Sequence, residues 1–481
     1  MEQKENGMKI YNTLSHQKEE FKPIIPGKVS MYACGITASG EAHVGHAYQS
    51  VVFDMISKYL KFRGYDVKYV RNYTDVDDKI IAKAAELHKD PMEYAEYIMA
   101  KTDKELAELG SAKPTIQSRA TESIPDMLQF IQTLIDKGFA YATPEGNVYF
   151  KVSKFPGYGK LSRINWNENR DGVRKEVEPG KLDDKDFALW KAAKPGEISW
   201  DTPWGKGRPG WHIECSTMAM KFLGKTIDIH GGGRDLAFPH HENEIAQSEA
   251  LTGQEFSHYW MHNGLLKVNG QKMSKSLNNG ILLADLLKEY KSDVIRFALL
   301  RTLYRSDINI TDDLFPESEK HLYRFYQIFK KIQEKPITGQ EEPTLQYINQ
   351  MEQNFIQAMD DDFNTSELFA KLFGWMDFLS QELVKKNSPY NLSKIMLKLK
   401  ELFAVLGLLQ RDPEDFLSFV RTKYLMKSGI TEEDILKKIT ERSEYKKNRQ
   451  FDLADNVRNQ LAEKHISLQD MPSGTVWDVE L

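Results

Sequence analysis

Cysteine is almost missing from this sequence, which has only Cys34 and Cys215 among 481 residues. That scarcity excludes a disulfide-stapled fold, and the absence of paired Cys-x-x-Cys elements excludes a small zinc finger. No run of about 18 apolar residues occurs, so no membrane-spanning helix is expected. The first residues, Met1 to Lys9, are polar and charged, which gives no sign of a secretory signal and makes a cytoplasmic location the expectation. Internal repeats and low-complexity tracts are also lacking. Strong charge of one sign is missing too, because the formal net charge is only −5. Global charge therefore announces no nucleic-acid partner, although RNA contacts need only a local basic surface.

What remains has the balance of a soluble globular chain, with 41% hydrophobic and 28% charged residues. Its length predicts about two to four domains. Val29 to Ile36 alternates and is β-prone. Gly35, Thr37, Ser39 and Gly40 then interrupt it, and His46 to Phe62 carries Val51, Val52, Met55, Ile56 and Leu60 at helical spacing. Strand, small-residue turn and helix open a nucleotide-binding α/β unit, and a second strand is expected from Asp66 to Asn72. Residues 115–204 read as an insertion. The α/β pattern resumes at Lys225 to His230 and near Tyr259 to Leu266, and the chain is strongly helical after Leu314.

Two short motifs carry phosphate chemistry. His43-Val44-Gly45-His46 sits where the first strand turns into the first helix. Imidazoles on an opening helical turn can face an anion held at the helix N-terminus, and Gly45 would let that ligand approach closely. Lys272-Met273-Ser274-Lys275-Ser276 follows the turn Val268-Asn269-Gly270. Two lysines on one loop suit the charge that builds on a transferring phosphate. Together these form the signature pair of class I aminoacyl-tRNA synthetases.

A third constellation suits a metal. His240 and Glu244 are four residues apart at an expected helix start, which puts both on one face. Cys34 and Cys215 would complete a zinc set of two thiolates, an imidazole and a carboxylate. Spacing alone leaves open whether His240 or His241 is the ligand.

The chain resembles the cysteinyl-tRNA synthetases from Ile10-Tyr11-Asn12-Thr13-Leu14 to Gly474-Thr475-Val476-Trp477. Matching stretches include Arg71 to Ile80, Asp186 to Lys191, Gly210 to Cys215, Asp228 to Ser248 and Met359 to Thr365. The resemblance implies ATP-dependent activation of L-cysteine to cysteinyl adenylate and its transfer to the 3′ end of tRNA(Cys). It makes Cys34, Cys215, His240 and Glu244 the ligands of one Zn²⁺. A soft thiol coordinates zinc far better than the hydroxyl of serine or the methyl of alanine, whereas pocket shape alone separates such groups by only about 1–3 kcal/mol. His43 and His46 would contact the phosphates of Mg²⁺-ATP, and Lys272 and Lys275 would stabilise the transition state. Gly45, Gly232 and Asp235 would border the nucleotide, with Thr74 and Trp211 lining the cysteine pocket. Trp477, Arg458 and the basic run Lys437, Lys438, Arg442, Lys446, Lys447 and Arg449 become candidate tRNA contacts.

The implied fold is α/β. A Rossmann-like parallel-sheet catalytic domain (1–313, with the lysine-loop region near 260–313) precedes a helical anticodon-binding bundle (314–411) and a small C-terminal module (412–481). The family is usually monomeric. This chain departs from it at Ser39-Gly40, where members usually have Tyr-Asp, and at Tyr48, where they usually have Arg. Two rivals follow: a ligase joining cysteine to a small amine, and a noncatalytic tRNA-binding homologue. The retained helical bundle and Trp477 oppose the first, and the intact signature and zinc positions oppose the second.

Overall fold

The β-prone run at the start of the chain becomes the central strand of a parallel sheet. In this computed structural model, which describes residues 7–164, 180–273, 279–334, 339–471 and 474–481, β1 spans Lys28–Thr37. β2 (Asp66–Thr74), β3 (Ile116–Arg119), β4 (Ile227–Gly233) and β5 (Ser257–Asn263) complete the sheet in the order β5-β4-β1-β2-β3. Every pairing is parallel. Near-continuous burial of Met31, Tyr32, Ala33 and Cys34 follows from a sheet covered on both faces. Strand order reverses between β1 and β4, and open α/β sheets bind ligands at the carboxyl ends beside such a switch point.

α1 (Val44–Phe62) leaves β1 at that point, with His43 as its N-cap. A buried ion pair anchors it, Arg296 to Asp54 at 2.7 Å, and the same guanidinium donates to the Leu406 carbonyl at 2.6 Å. α2 (Trp211–Leu223) and α3 (Glu242–Thr252) flank the other side of the switch point.

The insertion expected over 115–204 starts later and ends later, because Ile116–Arg119 pairs into the main sheet; it contains the helix Ile124–Asp136 and a four-stranded antiparallel sheet whose last strand, Gly207–Pro209, leads into α2. Arg208 and Lys191 of this sheet clamp Asp78, Lys191 at 2.9 Å. Burial alone would raise the Asp78 carboxyl, but hydrogen bonds from Lys191 and Arg208 hold it down at about 2. Its contribution is therefore present above the ordinary carboxylate range and lost as pH falls toward 2. Asp78→Asn is expected to lower the thermal midpoint slightly at pH 7 and not at pH 2, because half-exposed pairs contribute little. Melts at the two pH values check this.

The chain divides into two units, the first comprising residues 1–314, 349–373 and 402–408 and the second 315–348, 374–401 and 409–481. This division cuts through the bundle expected over 314–411. Residues 349–373 and 402–408 cluster with the sheet because Phe355 and Phe363 pack on Tyr59 of α1, at centroid distances of 6.0 and 5.9 Å. Phe369 likewise meets Phe297 edge-on at 4.7 Å. In the second unit, Asp412 caps the helix Pro413–Ser428 with Pro413 in its first turn. Helices Glu432–Lys447 and Phe451–Ala462 and the hairpin Ile466–Met471/Gly474–Val479 then enclose Ile430, Ile435, Leu461, Ile466 and Leu468. No described helix is long and apolar enough to cross a membrane.

Candidate active site and metal centre

Cys34 reaches the site because β1 is irregular beside it. The register against β2 shifts between Ala33 and Ile36, and the Gly35 amide donates to Asn72 Oδ1 at 2.8 Å. A Cβ on Gly35 would lie 1.5 Å from the Asn72 carbonyl oxygen, so only glycine allows this approach. The Cys215 thiol, on α2, points to the same Asn72 Oδ1 at 3.7 Å. His240 lies in the turn before α3 and Glu244 in the first turn of that helix. Cys34, Cys215, His240 and Glu244 are all buried, and their donor atoms lie within 4.8 Å of one another.

Glu244 shares out its two oxygens. Oε1 is 3.1 Å from His240 Nε2 and 3.4 Å from the Cys34 thiol, while Oε2 is 2.9 Å from His230 Nε2. Burial would raise this carboxyl, but the imidazoles of His230 and His240 bring it down to about 2. His240 is pushed the other way: burial lowers it, and the negative charge of Glu244 and Cys215 lifts it to about 10. Burial raises both thiols, yet the hydrogen bond with Cys34 and the neighbouring His240 bring Cys215 down to about 6. The Cys34 thiol stays well above its ordinary value, through burial and then its contacts with Cys215. A site that concentrates this much opposed charge away from water favours a cation among its donors.

A second set, Cys34, His230, His241 and Glu244, also lies within 4.8 Å. The set with His240 is favoured because it offers two thiols, the softer donor combination for zinc. Both rings are engaged on their two nitrogens, His240 with His212 at 3.0 Å and Glu244 at 3.1 Å, and His241 with Cys34 Sγ at 3.2 Å and His262 at 2.7 Å. His230 then serves as the orienting partner of Glu244, a usual arrangement around a ligating carboxylate.

Beside these donors, the buried Thr74 donates to Glu214 Oε2 at 2.7 Å. Burial and the adjacent Cys215 hold the Glu214 carboxyl well above its usual range. Trp211 opens α2, is 39% exposed, and stacks on His240 with centroids 4.3 Å apart. It therefore covers one of the donors from the solvent side.

The first signature motif caps its own helix. His43 Nδ1 accepts from the Gly45 amide at 3.1 Å, the His43 amide donates to His46 Nδ1 at 3.4 Å, and the rings stack 3.7 Å apart. A Cβ at Gly45 would meet the His43 ring at 2.9 Å and Met273 Cε at 3.2 Å. Gly45 thus leaves room for the His43 ring and Met273 at the mouth of the helix. Gly232, next to last in β4, lies beside His241, whose Cε1 would be 3.0 Å from a Cβ there, and Asp235 follows in the turn after that strand. Lys272 ends the strand Gln271–Lys272, and Lys275 lies outside the described residues.

The candidate tRNA contacts belong to the second unit. Trp477 is half-buried against the core of the C-terminal module, and Arg458 donates to the Leu468 carbonyl at 3.3 Å. Much of the basic run is occupied internally. Arg442 is buried and, with Lys446, holds Asp470 at 2.7 and 2.6 Å. Lys437 and Lys438 pair with Glu433 and Glu441.

Sequence reasoning weighed His241 only as an alternative ligand and passed over His212, His230 and His262, which form a network with it. Burial followed by mutual repulsion lowers His212 and His241, and His262 falls to about 3 for the same leading reason. The available signal was that three of these follow or end predicted strands or helices near Cys215 and His240. Phe451, 60% exposed, lies two residues after Arg449 on the same module.

Residues 20–320 match the family described as the tRNA synthetases class I (C) catalytic domain, and residues 354–410 match the DALR domain. A cysteine-tRNA ligase of Geobacter metallireducens is 46% identical over 484 residues, covering 98% of this chain and 100% of that protein. One from Chromohalobacter salexigens is also 46% identical, with 98% and 100% covered. The fold is similar to that of Mycobacterium tuberculosis methionyl-tRNA synthetase in complex with methionyl-adenylate. That likeness has a TM-score of 0.56 at 14% identity and covers 83% of this chain and 90% of the other. With near-identical length, the class I catalytic domain and almost half its residues in common with these ligases, the chain belongs to the cysteinyl-tRNA synthetase family.

Proposed function

We propose that this chain activates L-cysteine with ATP, releasing pyrophosphate, and transfers the cysteinyl group to the terminal ribose hydroxyl of tRNA(Cys). The observation that carries the reading is the full-length similarity of about 46% to cysteine-tRNA ligases, in a chain whose four buried donors converge beside the switch point of the sheet. Cys34, Cys215, His240 and Glu244 would hold a zinc ion, which when bound supplies a thiol-selective coordination position. His230 orients Glu244, and Trp211 shields the site.

The cysteine carboxylate must attack the α-phosphate, so the protein's task is alignment and charge stabilisation. His43 and His46 stand at the N-terminus of α1, where an anionic phosphate chain gains from the helix dipole. Lys272 and Lys275 neutralise charge on the departing pyrophosphate, with Mg²⁺ accompanying ATP. Gly232 and Asp235 border the ribose and adenine, and Thr74 belongs to the cysteine pocket. Residues 1–313 form the catalytic part, 314–411 the anticodon-binding bundle and 412–481 the anticodon-reading module, and the chain acts as a monomer.

Cysteine-dependent ATP–pyrophosphate exchange followed by charging of total tRNA tests the reading. Exchange with charging supports it. Exchange alone would indicate a small amine acceptor, and neither would indicate a noncatalytic binder. Because Phe451 is the exposed aromatic next to Lys447 and Arg449, Phe451→Ala is expected to raise the KM for tRNA about tenfold while leaving exchange unchanged, the size of one lost stacking contact. Charging kinetics against tRNA concentration check it, and an equal loss of exchange would refute it.

A further inference from the structure

The two signature motifs are more than 200 residues apart, yet one short loop touches the supports of both. We propose that the loop from Tyr304 to Asp307 sets the spacing between the start of α1 and the strand that leads to the lysine motif, with Tyr48 and Asp307 as positioning residues. The inference rests on the functional reading above.

Tyr48 follows His46 by two residues and is buried, and its hydroxyl donates to the Tyr304 carbonyl at 2.6 Å. The same oxygen accepts the Gly264 amide at 2.8 Å. One acceptor therefore ties α1 to the segment leaving β5. Gly264 lies against the loop itself, since a Cβ there would be 2.0 Å from the Ser306 carbonyl oxygen.

Asp307 extends the tie in two directions. It accepts from the Leu265 amide at 3.0 Å, and it pairs with Lys267 at 3.3 Å and with Arg234. Arg234 directly follows β4 and precedes Asp235. Lys267 lies in the strand Leu266–Val268, which pairs with Ile308–Ile310 on one side and Gln271–Lys272 on the other. Behind the loop, the buried Asp362 accepts from the Tyr304 hydroxyl and from Arg305 Nε, each at 3.0 Å. The loop is thus fixed from behind and holds three segments in front.

Magnitudes separate positioning from stability here. Arg234, Lys267 and Asp307 side chains are 47, 44 and 26% exposed, and such pairs add little to folding. Their geometry matters far more, because a displacement of about 1 Å between reacting groups can cost up to about a hundredfold in rate. The buried phenol of Tyr48 makes its tie to the loop without placing a charge there.

Tyr48→Phe and Asp307→Asn are each expected to lower kcat for pyrophosphate exchange by between about tenfold and a hundredfold, with cysteine KM, bound zinc and thermal midpoint unchanged. The double variant should lose no more than the worse single one, because both act through one loop. Amide hydrogen exchange of peptide 264–268 should accelerate in Tyr48→Phe, although the substitution is on another element. Unchanged kcat, losses that multiply, or losses that track zinc content and melting would overturn the proposal. An inactive parent chain overturns the functional reading instead. Unaltered protection of 264–268 in Tyr48→Phe sinks the loop coupling whether or not the parent is active.

Discussion

Cys215→Ser is expected to remove stoichiometric zinc and lower kcat/KM for cysteine activation by about 10³-fold, or ~4 kcal/mol of transition-state stabilisation. The reasoning starts from burial. Cys215 is 2% exposed, and its sulfur shares a pocket with Cys34, His240 and Glu244. Serine keeps the volume and removes the soft donor, so packing survives while metal affinity does not. Because zinc would be the means of choosing a thiol, preference for cysteine over serine should shrink to the few kcal/mol that shape provides, about 1–3. Metal content and pyrophosphate exchange with each amino acid measure the two effects separately. Unchanged discrimination in the variant would remove zinc from the account. A Cys34→Ser variant that fails in the same way, with a normal melt, would show that the loss lies in the donor set.

Local signals in the sequence account for the parts of this site that are local. The turn after β1 and the histidine motif at the start of α1 each rest on a few adjacent residues. The residue types of a zinc set were likewise visible, since His240 and Glu244 are one helical turn apart and only two thiols exist. The rest depends on convergence. Both His240 and His241 reach this centre, His241 at 3.2 Å from Cys34 Sγ, and only the fold shows that the set with His240 joins both thiols. The late basic run reads as a free surface until Asp470, on a distant hairpin, is seen to bind Arg442 and Lys446. The loop at Tyr304 to Asp307 has no motif at all. Its importance comes from carbonyl and carboxylate contacts with segments up to 256 residues away, which periodicity cannot register.

Gly35→Ala should be the most damaging single-methyl addition near the site, destabilising the protein by about 3–4 kcal/mol and taking the metal centre with it. The cause is steric and lies in the backbone. The added carbon would sit 1.5 Å from the Asn72 oxygen and 2.6 Å from its carbonyl carbon, and neither can rotate away as a side chain would. Relief requires β1 and β2 to separate at the bulge. That movement breaks the Gly35–Asn72 hydrogen bond of 2.8 Å and carries the neighbouring Cys34 off its position against Glu244. Gly40, in the same stretch, provides the control, because a Cβ there meets nothing within 4 Å. Gly40→Ala should therefore melt like the parent and keep its zinc, whereas Gly35→Ala should lose both. Chemical denaturation with metal analysis on the two variants decides it, and a Gly35→Ala protein of normal stability and zinc content would mean that the strand pair yields at this bulge more easily than its contacts imply.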